Sequence, residues 1–137
     1  MAVRQALSAD AARIAEIHIA SWQTAFRRIM PENLLDHQNL EERRAEWLTN
    51  MREYPGNLVV VEECGAGVLG FACGGPLSKL EPDRFNGQVF GIHVAPDVKR
   101  RGYGHQLMAA SRRDLRRRPV ALQFLYRIYF RRFEWRT

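Results

Sequence analysis

Apolar positions along the chain change period twice. From Ala15 they recur at Ile19, Trp22, Phe26 and Ile29, a three-and-four spacing that predicts a helix, with Ile14 and Ile17 widening its inward stripe. "VRQAL" (3–7) ahead of it predicts a short strand, Ser8 an N-cap, and Asp10 an acid placed to favour the helix dipole. Met30-Pro31 ends that pattern. A second helix is predicted from Asn39, where Glu42 completes a capping box and Leu40, Arg44, Trp47, Leu48 and Met51 share one face.

The period then shortens. "LVVVEE" (58–63) and "VLGFACGG" (68–75) flank the tight turn "GAG" (65–67) and predict a hairpin, itself preceded by the turn "YPGN" (54–57). A polar loop (76–87) leads to a further strand, "QVFGIHV" (88–94), and a helix is predicted from about Gly102 to Arg117, stopped by Pro119. Beyond it Val120, Leu122, Phe124, Tyr126, Ile128 and Phe130 alternate, the period of one long strand. The expectation is a single α+β domain over 1–137, with no internal repeat and no low-complexity linker.

Length and composition narrow the class. A chain of 137 residues can bury one sizeable core. No apolar run approaches the roughly 20 residues of a membrane span, and the N-terminus is amphipathic and carries acids early, unlike a signal peptide. A cytoplasmic protein without a membrane partner is expected. Cys64 and Cys73 lie in apolar, strand-like surroundings without a CxxC motif or a histidine cluster, so reduced thiols and no metal are expected.

Charge changes the picture more. The net +6 divides into nine basic and thirteen acidic residues over 1–98, against twelve basic and two acidic over 99–137. An anionic partner at the start of the basic half is the simple inference. That boundary falls in "VAPDVKRRGYGHQLM" (94–108), a strand end, a basic turn with two glycines, and a helix start. Such a geometry aims unpaired backbone N–H groups and a helix dipole at one spot, which suits phosphate. Neither GxxxxGK[ST] nor GxGxxG is present, since Leu107 occupies the third glycine position of the latter.

The stretch resembles the acetyl-CoA-binding motif of the GNAT superfamily of N-acyltransferases, Gln/Arg-x-x-Gly-x-Gly/Ala after a strand ending in a Val-x-Pro-like turn. Here it reads Lys99-Arg100-Arg101-Gly102-Tyr103-Gly104, lysine departing from the usual first residue. The order strand, two helices, three strands, motif helix is also similar to the family's, over about residues 2–117, with a motif core at 88–117. The resemblance implies a mixed, mostly antiparallel sheet flanked by helices. It implies acetyl-CoA as cosubstrate, with backbone groups of Ile92, His93 and Val94 along the pantetheine arm. Amides from Lys99 through Arg100, Arg101, Gly102, Tyr103 and Gly104 to about His105 would wrap the diphosphate. An amine would attack the thioester directly, with a backbone N–H near Val94 stabilising the oxyanion.

Two departures qualify the match. Gln88 stands where many members carry a glutamate base, and an amide cannot usefully accept a proton. His93 falls by alternation on the face opposite Gln88, Phe90 and Ile92 and reads as a structural or cofactor-flanking residue rather than a base. Glu62 and Glu63 are candidates, equally explained as a solvated strand end; His18, His37 and His105 show no partner pattern, so no base is assigned. The C-terminus (118–137) departs from the family's strand, helix and closing hairpin, and Tyr126 is either the general acid or a packed strand tyrosine. A sheet short of its last strands is expected to be covered in a homodimer through the C-terminal segments.

Three functions follow. One is an N-acetyltransferase acting on a primary amine that the sequence does not name, with Trp22, Phe26 and Trp47 beside the acceptor or in the core. Another is a non-catalytic acyl-CoA-binding or regulatory module of the same fold, favoured by Gln88. The third is a nucleic-acid binder using Arg112, Arg113, Arg116, Arg117 and Arg118, which would show a steep salt dependence but lacks a recognition motif.

Overall fold

The computed structural model describes residues 2–53, 58–76, 87–117 and 122–123. β1 (Ala2–Gln5) leads through a short 3-10 turn (Ser8–Asp10) into α1 (Ala11–Ala25), then α2 (Glu32–Asp36) and α3 (Leu40–Glu53). β2 (Leu58–Cys64), β3 (Gly67–Pro76) and β4 (Gly87–Val94) follow, then a 3-10 turn (Pro96–Val98), α4 (Tyr103–Arg117) and β5 (Leu122–Gln123). The strands form one sheet in the order β1-β2-β3-β4-β5, antiparallel except for the parallel pair β4–β5. Tyr126 and the C-terminal segment expected to pair across a homodimer lie outside the described residues, as do "YPGN" and Pro119.

Alternation along the strands divides the core between two layers. Val59 and Val61 of β2 and Phe71 of β3 pack with Ile14, Ala15 and Ile17 of α1 and Trp47 of α3. On the other face Ala72 and Val89 pack with Leu107 and Leu115 of α4, joined by Ile92 and Val94. α4 therefore lies across the strand whose end feeds it, which holds the basic turn against the sheet.

Four expectations need correction. Ser8 does not cap α1: Asp10 precedes the helix, and its Oδ2 accepts the Leu7 N–H at 2.8 Å and Arg4 Nη1–H at 2.8 Å, while Oδ1 accepts Arg4 Nη2–H at 3.0 Å. Arg4 also donates to Glu63 at 2.8 Å, so β1, β2 and the entry to α1 share one guanidinium. Its donation holds the Asp10 carboxyl below the usual carboxylate range. α1 stops at Ala25, leaving Ile29 61% exposed, because the chain turns to form α2, which the sequence reading passed over. On α3, Leu40 is exposed and Arg44 pairs with Glu41, so the inward face is Trp47, Leu48 and Met51. Asn39 does cap α3, accepting the Glu42 N–H at 3.0 Å.

Asp10→Ala is expected to destabilise the fold by about 1–3 kcal/mol, because loss of a largely buried charged acceptor leaves the Leu7 N–H unpaired and Arg4 with Glu63 as its remaining carboxylate. Urea unfolding at pH 7 measures it. The gap to wild type should narrow as pH falls through the depressed Asp10 pKa, where protonation removes the same interaction.

Candidate functional site

β4 carries the site because its two edges are used differently. On the inner edge Ala95 N–H donates to Leu69 O at 2.8 Å, which fixes the phase of the β3–β4 ladder. With Phe71 opposite His93 and Ala72 opposite Ile92, the backbone groups of His93 turn toward β3 and those of Ile92 and Val94 turn outward. On the outer edge, among the described residues, β5 pairs only with Gly87 and Gln88. From Val89 to Val94 that edge presents outward N–H and C=O groups from Ile92 and Val94, which suit an extended amide-bearing chain. The ladder corrects one expectation: the His93 backbone belongs to β3.

A bulge sits at the same place. Cys73 lies opposite Gly91 and Gly74 opposite Val89, so Phe90 is the extra residue, 43% exposed. Val89 and Ile92, three residues apart, reach the same core cluster. Simple alternation thus does not carry across Phe90, and His93 lies on the face opposite Ile92.

Beyond Val94 the 3-10 turn reverses the chain, and Arg100 (φ +63°) and Gly102 (φ +87°) both adopt left-handed backbone conformations. For Arg100 this stores strain of about 1–3 kcal/mol, the kind that clusters where a backbone is shaped for a ligand. The first internal backbone bond of α4 is Gln106 N–H to Gly102 O at 3.1 Å, so among the described residues the N–H groups of Tyr103, Gly104 and His105 have no backbone partner and can serve a ligand or water. Lys99, Arg100, Arg101 and Gly102 are exposed, whereas Tyr103 is buried and anchors the turn. The residues predicted for a diphosphate come together at a helix N-terminus just beyond the end of β4 that carries the outward Ile92 and Val94 groups.

Gly104 is different from Gly102. A Cβ there would meet Val94 Cγ2 at 3.7 Å and Ile92 Cγ2 at 4.0 Å, ordinary contacts. Gly104→Ala is therefore expected to fold normally and to raise stability by up to about 1 kcal/mol through helix propensity, read by thermal unfolding.

The acidic candidates are accounted for elsewhere. Glu63 is the partner of Arg4. Glu62 is fully buried on the α4 side beneath the Gln106 side chain, which donates to both carboxylate oxygens at 3.0 Å once its amide is turned to place nitrogen against them, and burial pushes the carboxyl up. Neither lies on β4. Burial likewise pushes the Cys73 thiol up to about 12, far from a reactive thiolate. No group of three potential metal ligands occurs among the described residues, and no described helix is long and apolar enough to cross a membrane.

Opposite α4, β4 presents His93 to an aromatic cluster that the sequence reading missed. The His93 ring stacks on Phe71 (centroids 5.0 Å, planes 22°) and lies 4.9 Å from the ring of His18 on α1. Trp47 Nε1–H donates to His18 Nδ1 at 3.3 Å. Desolvation holds both imidazoles near a pKa of about 4; Arg43 adds to this at His18, and His18 and Lys99 at His93. Only the helical position of His18 and the strand position of His93 were available from the sequence, without the tertiary pairing.

Residues 13–131 match the acetyltransferase (GNAT) family. This chain belongs to the GNAT acetyltransferase family. It is 30% identical over 124 residues to the uncharacterized N-acetyltransferase YuaI of Bacillus subtilis, covering 90% of this chain and 69% of that one. Among solved structures, the ribosomal-protein-alanine N-acetyltransferase of Brucella melitensis superposes with a TM-score of 0.67 at 28% identity, over 88% of this chain and 70% of that one. The yncA protein of Salmonella typhimurium, solved with acetyl-CoA, superposes with a TM-score of 0.62 at 25% identity, over 85% and 64%. The GNAT fold thus accounts for the strand order and the helix after β4, and the left-handed turn is where this chain's own geometry meets it.

Proposed function

We propose that the chain is an N-acetyltransferase that moves an acetyl group from acetyl-CoA to a primary amine within a ternary complex. The observation that carries the reading is the continuity of the outward Ile92 and Val94 backbone groups with the left-handed turn and the N–H groups of Tyr103, Gly104 and His105 at the head of α4, unpaired among the described residues. These fit a ligand that is an amide-bearing arm at one end and a diphosphate at the other. Bound there, acetyl-CoA supplies a thioester, an acyl group already activated toward nitrogen.

The chain's part is then positional and electrostatic. Ile92 and Val94 align the arm as an added strand. Lys99, Arg100 and Arg101 add charge-assisted donors around the diphosphate. Backbone N–H near Val94, directed off the sheet edge, stabilises charge developing on the acyl oxygen. Trp22 and Phe26, half-buried at the end of α1 with rings 5.0 Å apart, border the acceptor side, whereas Trp47 belongs to the core.

Calorimetric titration with acetyl-CoA, followed by thiol release over a panel of primary amines, tests this. Micromolar binding with turnover is expected; absence of binding overturns it. Gln88, at the start of β4 in place of a glutamate, favours a second reading as an acyl-CoA-binding module, which binding without turnover on any amine would select.

A further inference from the structure

We propose that His93 is the proton carrier of the transfer, taking the proton of the attacking amine and returning it to the departing sulfur, with His18 as its positioning residue. This rests on the acetyltransferase reading above. Three observations place His93. It lies on β4 between Ile92 and Val94, whose backbone groups face away from β3. Its Nε2 is folded back along the strand over Gly91, where a Cβ would come within 3.0 Å of it, so glycine at 91 leaves room for that ring position. That direction runs back along β4 toward the Phe90 bulge, on the strand whose outward backbone groups are read above as the cofactor's. Phe71, stacked beneath, fixes the ring plane. Neither ring nitrogen has a hydrogen-bond partner among the described residues.

His18 supports this arrangement. Its Nδ1 accepts the Trp47 indole N–H, so the neutral ring carries its proton on Nε2. The groups that face the pair are Arg43 and Glu46 from α3 and Lys99 from the turn after β4. Burial first, and then two cations against one acid, keep both rings neutral at pH 7 and His93 ready to accept.

The transfer balances without another reactant. The amine lone pair forms the C–N bond, the C–S bonding pair leaves on sulfur, and one N–H proton passes to His93. A free ammonium would not yield its proton to so weak a base, but nitrogen becoming bonded to carbonyl carbon grows acidic enough to do so. The imidazolium then protonates the thiolate, a much stronger base, and His93 is neutral again for the next turnover. The amine must therefore enter uncharged, and the pH dependence of kcat/KM should follow the amine's own pKa rather than a group near 6.5.

Three measurements test the proposal. Calorimetry of wild type and His93→Gln with coenzyme A should give Kd values within threefold; no binding by wild type would overturn the cofactor reading itself. Turnover by His93→Gln should fall at least a hundredfold in kcat, and His18→Gln should lower kcat about tenfold with KM for acetyl-CoA unchanged. Long-range 1H–15N spectra should show a neutral His93 from pH 5.5 to 8 whose ring signals move on adding coenzyme A, while those of exposed His37 do not. Coenzyme A binding that leaves the His93 ring unmoved, or a His93→Gln enzyme within twofold of wild-type kcat, overturns the inference and leaves the acetyltransferase reading standing.

Discussion

Replacing Gly102 by alanine is expected to weaken coenzyme A binding at least tenfold while the protein still folds. No neighbour lies within 4 Å of where the new Cβ would stand, so crowding is not the cause. The backbone is: at φ +87° an L-residue bears about 1–2 kcal/mol that glycine does not. Arg100 already holds one left-handed position in this turn, and a second side-chain-bearing one lets the turn relax instead. Relaxation rotates the amide planes on either side of residue 102 and turns the N–H groups at the head of α4 away from a shared point. The tenfold loss corresponds to about 1.4 kcal/mol, the same order as the strain that drives it. Calorimetric titration beside Gly104→Ala separates the cause, since Gly104 has no such φ and its variant should bind within about threefold of wild type. Equal affinity of Gly102→Ala and wild type would remove this turn from the cofactor site.

The same turn shows what the sequence could and could not reveal. Its position was legible because glycine, basic charge and a change of period coincide between Val94 and Met108. Helix α4 and the β2–β3 hairpin were legible for the same reason, each bounded by glycine or proline. What decides the chemistry was less so. The left-handed Arg100 has no signal, because arginine is used there against its preference. The bulge at Phe90 depends on pairing with β3, and an alternating run reads the same with or without an extra residue. Glu62 stood open between a candidate base and a solvated strand end because the sequence alone does not say that Gln106 of α4 covers it. Asp10 rather than Ser8 holds the start of α1 because Arg4, arriving from β1, favours a carboxylate over a hydroxyl. His18 and His93, 75 positions apart, become one cluster only when α1 docks on β4. Local grammar therefore located the cofactor turn, and tertiary contacts supplied the proton chemistry beside it.

That cluster also sets the response to acid. Between pH 6.5 and about 4 the protein is expected to lose several kcal/mol of stability, more than its carboxylates alone would cause. The sign follows from linkage. In the unfolded chain each histidine takes up a proton near 6.5, whereas in the fold His18 and His93 do so only near 4. Below 6.5 the unfolded state therefore binds more protons, and stability falls until the folded rings also titrate. At 1.36 kcal/mol per pKa unit, the more buried His93 contributes up to about 3 kcal/mol at the bottom of that window, and His18, screened by solvent, about half as much. Asp10, whose carboxyl is depressed, adds its loss at lower pH, while buried Glu62, whose carboxyl is raised, acts in the opposite direction and softens the fall. Urea midpoints at half-unit steps from pH 4 to 8 would trace the curve. His93→Gln should remove roughly half of the slope between 4 and 6.5 and leave the slope above pH 7 unchanged. A wild-type curve flat from 6.5 to 5 would mean that the imidazoles are solvated and titrate alike in both states. Neutral, desolvated rings beside β4 are what the proposed proton transfer requires, so the folding curve tests the condition for catalysis without any acceptor in hand.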